Sequence, residues 1–224
     1  RVRRTDASRR VTAGSRVRDW MRNPSDVRWA LAQMRQATVV SLANAPFLPA
    51  VLRASALRPA GLRTTGPCLM YGGSMIQGLA SVRMGTGVFV NFGCYFDTVA
   101  DIVIGDHVFI ADHVRILTST HETGPSRHRA GALRGESVVI GPGTWIGSGV
   151  VVMPGVHIGA GCIIGANSLV TADCEPDGVY VGSPARRRRE LNDLPAAQQW
   201  IGEKADFRDR EAMHRLVIPP NSEF

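Results

Sequence analysis

Residues 140–170 read IGPGTWIGSGVVVMPGVHIGAGCIIGANSLV. Ile140, Ile146, Val152, Ile158, Ile164 and Val170 stand six residues apart throughout. An amphipathic helix repeats its apolar face about every 3.6 residues, and a half-buried strand every second residue. A period of six fits neither alone. It fits a coil of three short flat sides, in which the sixth-place side chain points inward. That side chain then stacks on its equivalents one coil up and down, at the ~4.8 Å spacing of paired strands. The glycines that follow the anchors (Gly105, Gly141, Gly147, Gly159, Gly165) suit tight corners. In a helix they would cost about 1 kcal/mol each.

The beat extends upstream. Ile104, Ile110 and Ile116 are in phase with Ile140. Met84, Val90 and Phe96 form an earlier series, after which two extra residues enter, read as a bulge or widened corner around Asp97–Asp101. Between Ile116 and Ile140 the in-phase places are Glu122, His128 and Arg134. These cannot fill a narrow aliphatic core without a large desolvation cost. Residues 122–139 (ETGPSRHRAGALRGESVV) are therefore expected to leave the solenoid as a loop, making the coils on either side neighbours. Loops of this length are commonly functional or disordered.

The flanks have a different texture. Residues 26–45 have helical spacing, with Trp29, Leu31 and Met34 among the expected buried positions, and 196–216 also read as helical. Each would cap one end of the solenoid, where an open coil exposes strand edges. The expected organisation is a basic, helical N-terminal extension (1–66), an all-β solenoid (67–190) and a helical tail (191–224).

Composition narrows the class. The 224 residues, 44% hydrophobic, suffice for one main domain with a real core. The longest uncharged apolar stretch, 37–52, is broken by Pro46 and Pro49, so no membrane span is expected. The chain begins at Arg1 without a hydrophobic signal segment, and Cys68, Cys94, Cys162 and Cys174 form no CxxC pair. A cytoplasmic protein with free thiols is the expectation. The net charge of +7 is concentrated: residues 1–28 hold nine arginines against three aspartates, and Arg186–Arg189 form a second cluster. These are solvated faces or attract an anionic partner such as a phosphorylated cofactor. No nucleic-acid module or interleaved aromatics accompany them, so nucleic acid is not an expected partner.

The segments VIGDHVFIADHVRILTSTHE (103–122) and VVIGPGTWIGSGVVVMPGVHIGAGCIIGANSLVTADCEPDGVYVGSPARRRREL (138–191) resemble the hexapeptide-repeat acyltransferases. The nearest branch is the galactoside and maltose O-acetyltransferase group with its polysaccharide and antibiotic-pathway relatives. The resemblance spans about residues 85–190. It is carried by T-x-T-H at 118–121, W-I-G at 145–147 and V-G-x-P-A-R at 181–186. It implies a left-handed parallel β-helix, a homotrimer with active sites in the grooves between subunits, and acetyl-CoA as donor along the groove. The acceptor it implies is a hydroxyl of a sugar, polysaccharide precursor or glycosylated natural product.

Such transfer needs a base for the acceptor proton, donors for the oxyanion, and a groove that holds both substrates; no acyl-enzyme is required. The resemblance implies that His121 is the base, with Glu122 a candidate to orient its ring. Asn91 matches a position that contacts the acceptor. Asp97 is a further candidate contact, although it falls short of the family's aspartate, whose neighbourhood here holds Thr98 and Val99; a simple galactoside is therefore not implied. Trp145 is a candidate wall of the pantetheine channel or a packing residue between subunits. Ser148, Ala166, Thr171, Arg186 and Arg189 match CoA-contact positions, and Ala172 stands where the family has lysine. An arginine run suits phosphate, which guanidinium pairs bidentately. His107 and His113 occupy equivalent corners of adjacent hexapeptides and read as surface residues. His128 lies in the loop, within reach of substrate.

Three alternatives stand beside this reading. One is N-acyl transfer to an amino sugar or other amine. Another is a zinc enzyme resembling γ-class carbonic anhydrases, with His121, His157 and Cys162 as ligands, since the two histidines are 36 residues apart. Against it, Cys162 and Cys174 share a repeat position filled elsewhere by Thr144, Val150, Val156 and Ser168, the pattern of a small space-filler. No metal is expected. The third is a non-catalytic binding solenoid, for which loss of the base would be the mark; His121 is present.

Overall fold

In the computed structural model, which describes residues 24–191, the six-residue beat closes into a three-sided parallel coil. Face A stacks Leu62–Thr64, Val82–Met84, Ile102–Ile104, Val138–Ile140 and His157–Ile158. Face B stacks Leu69–Met70, Phe89–Val90, Phe109–Ile110, Trp145–Ile146, Ile163–Ile164 and Gly178–Val181. Face C stacks Met75–Gly78, Tyr95–Thr98, Arg115–Ile116, Val151–Val152 and Leu169–Val170. The anchors line up inside: Met84, Ile104, Ile140 and Ile158 on face A, Val90, Ile110, Ile146 and Ile164 on B, Phe96, Ile116, Val152 and Val170 on C, all buried. Each buried side chain of this size contributes about 1.5–3 kcal/mol. Between anchors the interior takes small groups. Thr144 is buried and donates to the Gly159 carbonyl at 3.0 Å, and Cys162 and Cys174 fill neighbouring places.

The pitch changes along the chain. Register partners Thr64, Met84 and Ile104 follow one another at twenty residues, Ile140 and Ile158 at eighteen. The extra pair lengthens two face-C strands, Met75–Gly78 and Tyr95–Thr98, to four residues each. Glycine is required at Gly78, where φ is 131° and any Cβ would run into the Thr98 carbonyl on the coil above.

His107 and His113 both take φ 56°, and each ring lies over a left-handed glycine of the preceding coil, Gly87 and Gly93. A Cβ on Gly93 would come within 2.6 Å of His113 Nδ1. These exposed histidines are corner pieces of the coil.

The expected loop is a β-hairpin. Ser119–Thr123 pairs antiparallel with Ala130–Gly135, so the departure begins at Ser119 rather than at residue 122. Val138–Ile140 then rejoins face A directly above Ile102–Ile104.

Two helices, α1 (Pro24–Ala43) and α2 (Ala50–Ala56), pack at the N-terminal end with a 3-10 turn at Arg58–Ala60. Met75–Gly78 is the edge strand of face C, and its open groups are met by side chains. Gln36 Nε2 donates to Gly78 O at 2.6 Å and to Ala60 O at 3.3 Å, while the Gly78 N–H donates to Gln36 Oε1 at 3.3 Å. Asn44 Nδ2 donates to Ser74 O at 2.7 Å. Buried Arg53 donates to Ala43 O and Ala45 O at 2.6 and 3.1 Å, closing the end of α1. The inner face of α1 is therefore Gln36, Val40 and Ala43. The expectation that Trp29, Leu31 and Met34 are buried fails: in the single chain they are 58%, 60% and 66% exposed. Helical spacing identified the helix but not its inner face, because a strand edge calls for hydrogen-bonding partners where a hydrophobic layer would call for aliphatic ones.

Gln36→Leu keeps the volume but orphans both Gly78 groups. Its expected effect is a loss of about 1–3 kcal/mol in urea unfolding; an unchanged midpoint would mean that this edge is solvated instead. The expected helix at 196–216, and all of the basic N-terminal segment before residue 24, lie outside the described residues. No helix among the described residues is long and apolar enough to cross a membrane.

Candidate functional site

The hairpin that breaks the six-residue beat carries His121 in its first strand, exposed and three residues beyond buried Thr118. Its Nδ1 lies 3.0 Å from the carbonyl oxygen of Gly131 on the opposite strand. A carbonyl only accepts, so in the neutral ring Nδ1 carries the proton and Nε2 is left as the lone-pair nitrogen. The orienting group is thus Gly131, not Glu122, whose side chain takes no part in this contact. The six-residue beat gave no signal for Gly131, because its place follows from the antiparallel register of the hairpin. Glycine is required there: a Cβ would sit 2.7 Å from the Glu122 carbonyl.

The predicted site residues fall on two corners of the triangular coil. Asn91, Ala111, Gly147 and Gly165 form one column where face B turns into face C, each N–H donating to the coil above. Ser148 and Ala166 follow Gly147 and Gly165, and the Asn167 N–H donates to Ser148 O at 2.8 Å. Asn91, Ser148 and Ala166 therefore share one edge, spread over three ~4.8 Å steps. Asn91 Oδ1 accepts its neighbour Phe92 N–H at 2.9 Å. His121 and Thr171 belong to the next corner, between faces C and A, where Leu117, Met153 and Thr171 follow the face-C strands. His121 and Asn91 thus stand at different corners of one chain's coil.

Trp145 is half-exposed on face B, in register with Phe109, which in turn stacks on Phe89 at 4.3 Å between centroids. Arg186 and Arg189 are exposed on Arg186–Glu190, which pairs antiparallel with Gly178–Val181. Within the run, Arg187 is committed to the fold: it lies beside the Tyr180 ring and donates to Pro176 O and Glu190 Oε1 at 3.0 and 2.7 Å. Asp97 is buried, and its Oδ2 accepts the N–H groups of Thr118 and Ser119 at 3.2 and 2.8 Å. That carboxylate oxygen is engaged by the backbone at the hairpin root.

The thiols are poor nucleophiles. Burial pushes Cys94 up to about 11 and Cys174 up to about 12, and raises Cys68 and Cys162 as well. The zinc alternative loses its ligand set. His157 is exposed on face A, in register with Val139, while Cys162 is buried and donates toward Glu175 O. His121 stands on the hairpin itself, and the face-A place in register with His157 is taken by Val139, so the 36-residue spacing does not stack the two histidines. Among the described residues no three His, Cys, Asp or Glu side chains converge to hold a metal.

Residues 137–172 match the family model for the bacterial transferase hexapeptide (six repeats). The chain is 38% identical over 127 residues to a galactoside O-acetyltransferase of Lactococcus lactis subsp. lactis (strain IL1403), covering 57% of this chain and 61% of that relative. Among solved structures, it is similar to a galactoside acetyltransferase in complex with coenzyme A, with 29% identity and a TM-score of 0.64 over 73% of this chain and 82% of that one. It is likewise similar to a maltose O-acetyltransferase from Clostridium difficile 630, with 28% identity and a TM-score of 0.54 over 73% and 88% of the two chains. The solenoid is a left-handed β-helix of the hexapeptide-repeat kind, the fold that the resemblance in its motifs implied.

Proposed function

We propose that this chain is a CoA-dependent O-acetyltransferase that moves an acetyl group directly from acetyl-CoA to a sugar hydroxyl, with His121 as general base. The observation that carries the reading is the ring geometry of His121. Its Nδ1–H is held by the Gly131 carbonyl, and Nε2 is free to take a proton from an acceptor hydroxyl. The hydroxyl oxygen then attacks the thioester carbonyl, and the tetrahedral intermediate collapses with departure of the CoA thiolate. That thiolate recovers the proton from the imidazolium. The raised thiols argue for this direct route over a cysteinyl intermediate.

Asn91 lies at the acceptor end of the B–C edge, and Ser148 and Ala166 lie further along it, a separation that suits an extended pantetheine. Arg186 and Arg189 supply exposed guanidinium groups for CoA phosphates, with Thr171 and Trp145 as further contacts. Because His121 and Asn91 occupy different corners, the working site is assembled between copies, in a homotrimer. The acetyltransferase activity of the L. lactis relative supports acetyl transfer, and the chain spans 61% of that relative's length.

The test is a screen of acetyl-CoA and longer acyl-CoAs against sugar, glycoside and amino-sugar acceptors, read by product mass. A product heavier by one acetyl group on a hydroxyl is expected. Transfer to amines alone would move the assignment to N-acylation. Failure of every acceptor, with no free CoA released, would overturn it.

A further inference from the structure

We propose that Asp97 and Thr118 form a clamp that sets the angle at which the hairpin leaves the solenoid, making Asp97 a positioning residue for His121. Asp97 belongs to Tyr95–Thr98, where Phe96, Asp97 and Thr98 are all buried and the in-out alternation of a strand is broken. Burying a carboxylate is costly unless it is hydrogen-bonded. Its Oδ2 takes two backbone N–H groups, those of Thr118 and Ser119, at 3.2 and 2.8 Å. Thr118 returns the contact. Its hydroxyl donates to Asp97 O at 2.7 Å and accepts from Ala100 N–H at 2.9 Å, with the side chain fully buried. Glu136, at the other foot of the hairpin, donates its N–H to Thr118 O at 2.8 Å. Four hydrogen bonds thus tie the first residues of the departing strand to the widened corner below, and a fifth ties in the returning strand, so the clamp holds the two feet of the hairpin in the register that sets His121 Nδ1 against Gly131 O as well as the angle of departure.

The widened corner acquires a purpose from this. An eighteen-residue coil needs no buried carboxylate. The twenty-residue coil ending at Ile104 carries one where the chain departs from the next coil. His121 stands three residues past Thr118, about 10 Å at strand rise. Over that arm a tilt of about 6° at the root moves the imidazole by about 1 Å, and a misplacement of that size can cost on the order of 10²-fold in rate. The step from geometry to rate rests on the acyl-transfer reading of His121; the ring geometry itself does not.

The experiment compares Asp97→Ala, Asp97→Asn and Thr118→Val with the full wild-type chain in two readouts. The first is the ¹⁵N signature of the His121 ring at alkaline pH, assigned by loss of its signal in His121→Ala. Wild type is expected to show the tautomer protonated at Nδ1. Asp97→Ala and Thr118→Val should show a mixture, and Asp97→Asn, which keeps an acceptor oxygen, should restore the wild-type signal. The second is acetyl transfer: kcat should fall about tenfold or more in Asp97→Ala with the KM for acetyl-CoA unchanged, and the same substitution should cost nothing further in a His121→Ala background. If Asp97→Ala does not fold, Thr118→Val is read in the same two ways. A wild-type tautomer in both of these variants overturns the clamp whatever the activity. So does an equal loss of kcat with and without His121. If wild type transfers no acetyl group, the tautomer still decides the clamp while the functional reading alone falls.

Discussion

His121→Ala is expected to lower kcat for acetyl transfer by about 10²–10⁴-fold while leaving the unfolding midpoint and the oligomeric state of the protein where they were. The imidazole is exposed and hydrogen-bonds from Nδ1 to Gly131 O, so little packing is lost with it. What disappears is the free Nε2, the only feature of the side chain that the chemistry uses. His121→Asn sharpens the test, since an amide can still donate to the Gly131 carbonyl but has no basic nitrogen. If the ring served only to brace the hairpin, asparagine would rescue turnover. If it is the base, both variants lose kcat to a similar extent with little change in the KM for acetyl-CoA. Turnover within about tenfold of wild type in either variant would remove His121 from the role.

The solenoid was legible because its physics is one-dimensional. An aliphatic residue at 140, 146, 152, 158, 164 and 170 constrains one short side at a time, and each side stacks only on its equivalents. The excursion was legible for the complementary reason: Glu122, His128 and Arg134 stand where that core admits no charge. The outer surface of the cap obeys no such rule. α1 turns Gln36 inward, and Asn44 follows just past its end, because the edge of face C offers unpaired N–H and C=O groups, and nothing in the spacing of Trp29, Leu31 and Met34 reveals what the helix packs on. Within the site, His121 stood out by the T-x-T-H resemblance; its place beside the break alone fits a bracing role equally well. Its partner Gly131 did not stand out, because hairpin register is set by pairing across a turn and the solenoid beat stops before it. In the sequence Asp97 is one end of a widened corner and, by resemblance, a candidate substrate contact. Its two backbone donors come from residues more than twenty positions on, a proximity that only the closed coil creates. The hand of the helix came from the resemblance, since the usual crossover preference for parallel strands points the other way.

Randomly co-assembled His121→Ala and Asn91→Ala chains are expected to recover about one quarter of wild-type activity as a whole population, although each variant alone is nearly inactive. The expectation follows from the corners of the coil. Asn91 lies on the edge between faces B and C, and the hairpin bearing His121 leaves from the edge between faces C and A. In a ring with rotational symmetry each groove takes one edge from one copy and a different edge from its neighbour. A groove is intact when its His121 comes from a chain altered only at Asn91 and its Asn91 from a chain altered only at His121. With the two chains mixed equally and at random, each condition holds about half the time, and the product is about one quarter. The measurement uses two affinity tags, one on each variant, with mixed assemblies isolated by both tags after co-expression and assayed beside the two parents. Isolation by both tags excludes the unmixed trimers and raises the expected recovery to about one third of sites. Recovery at that level would mean that base and acceptor contact come from different copies. Mixed assemblies no more active than the sum of the parents would mean that each chain completes its own site, and the shared-groove arrangement would have to be abandoned even if His121 remained the base.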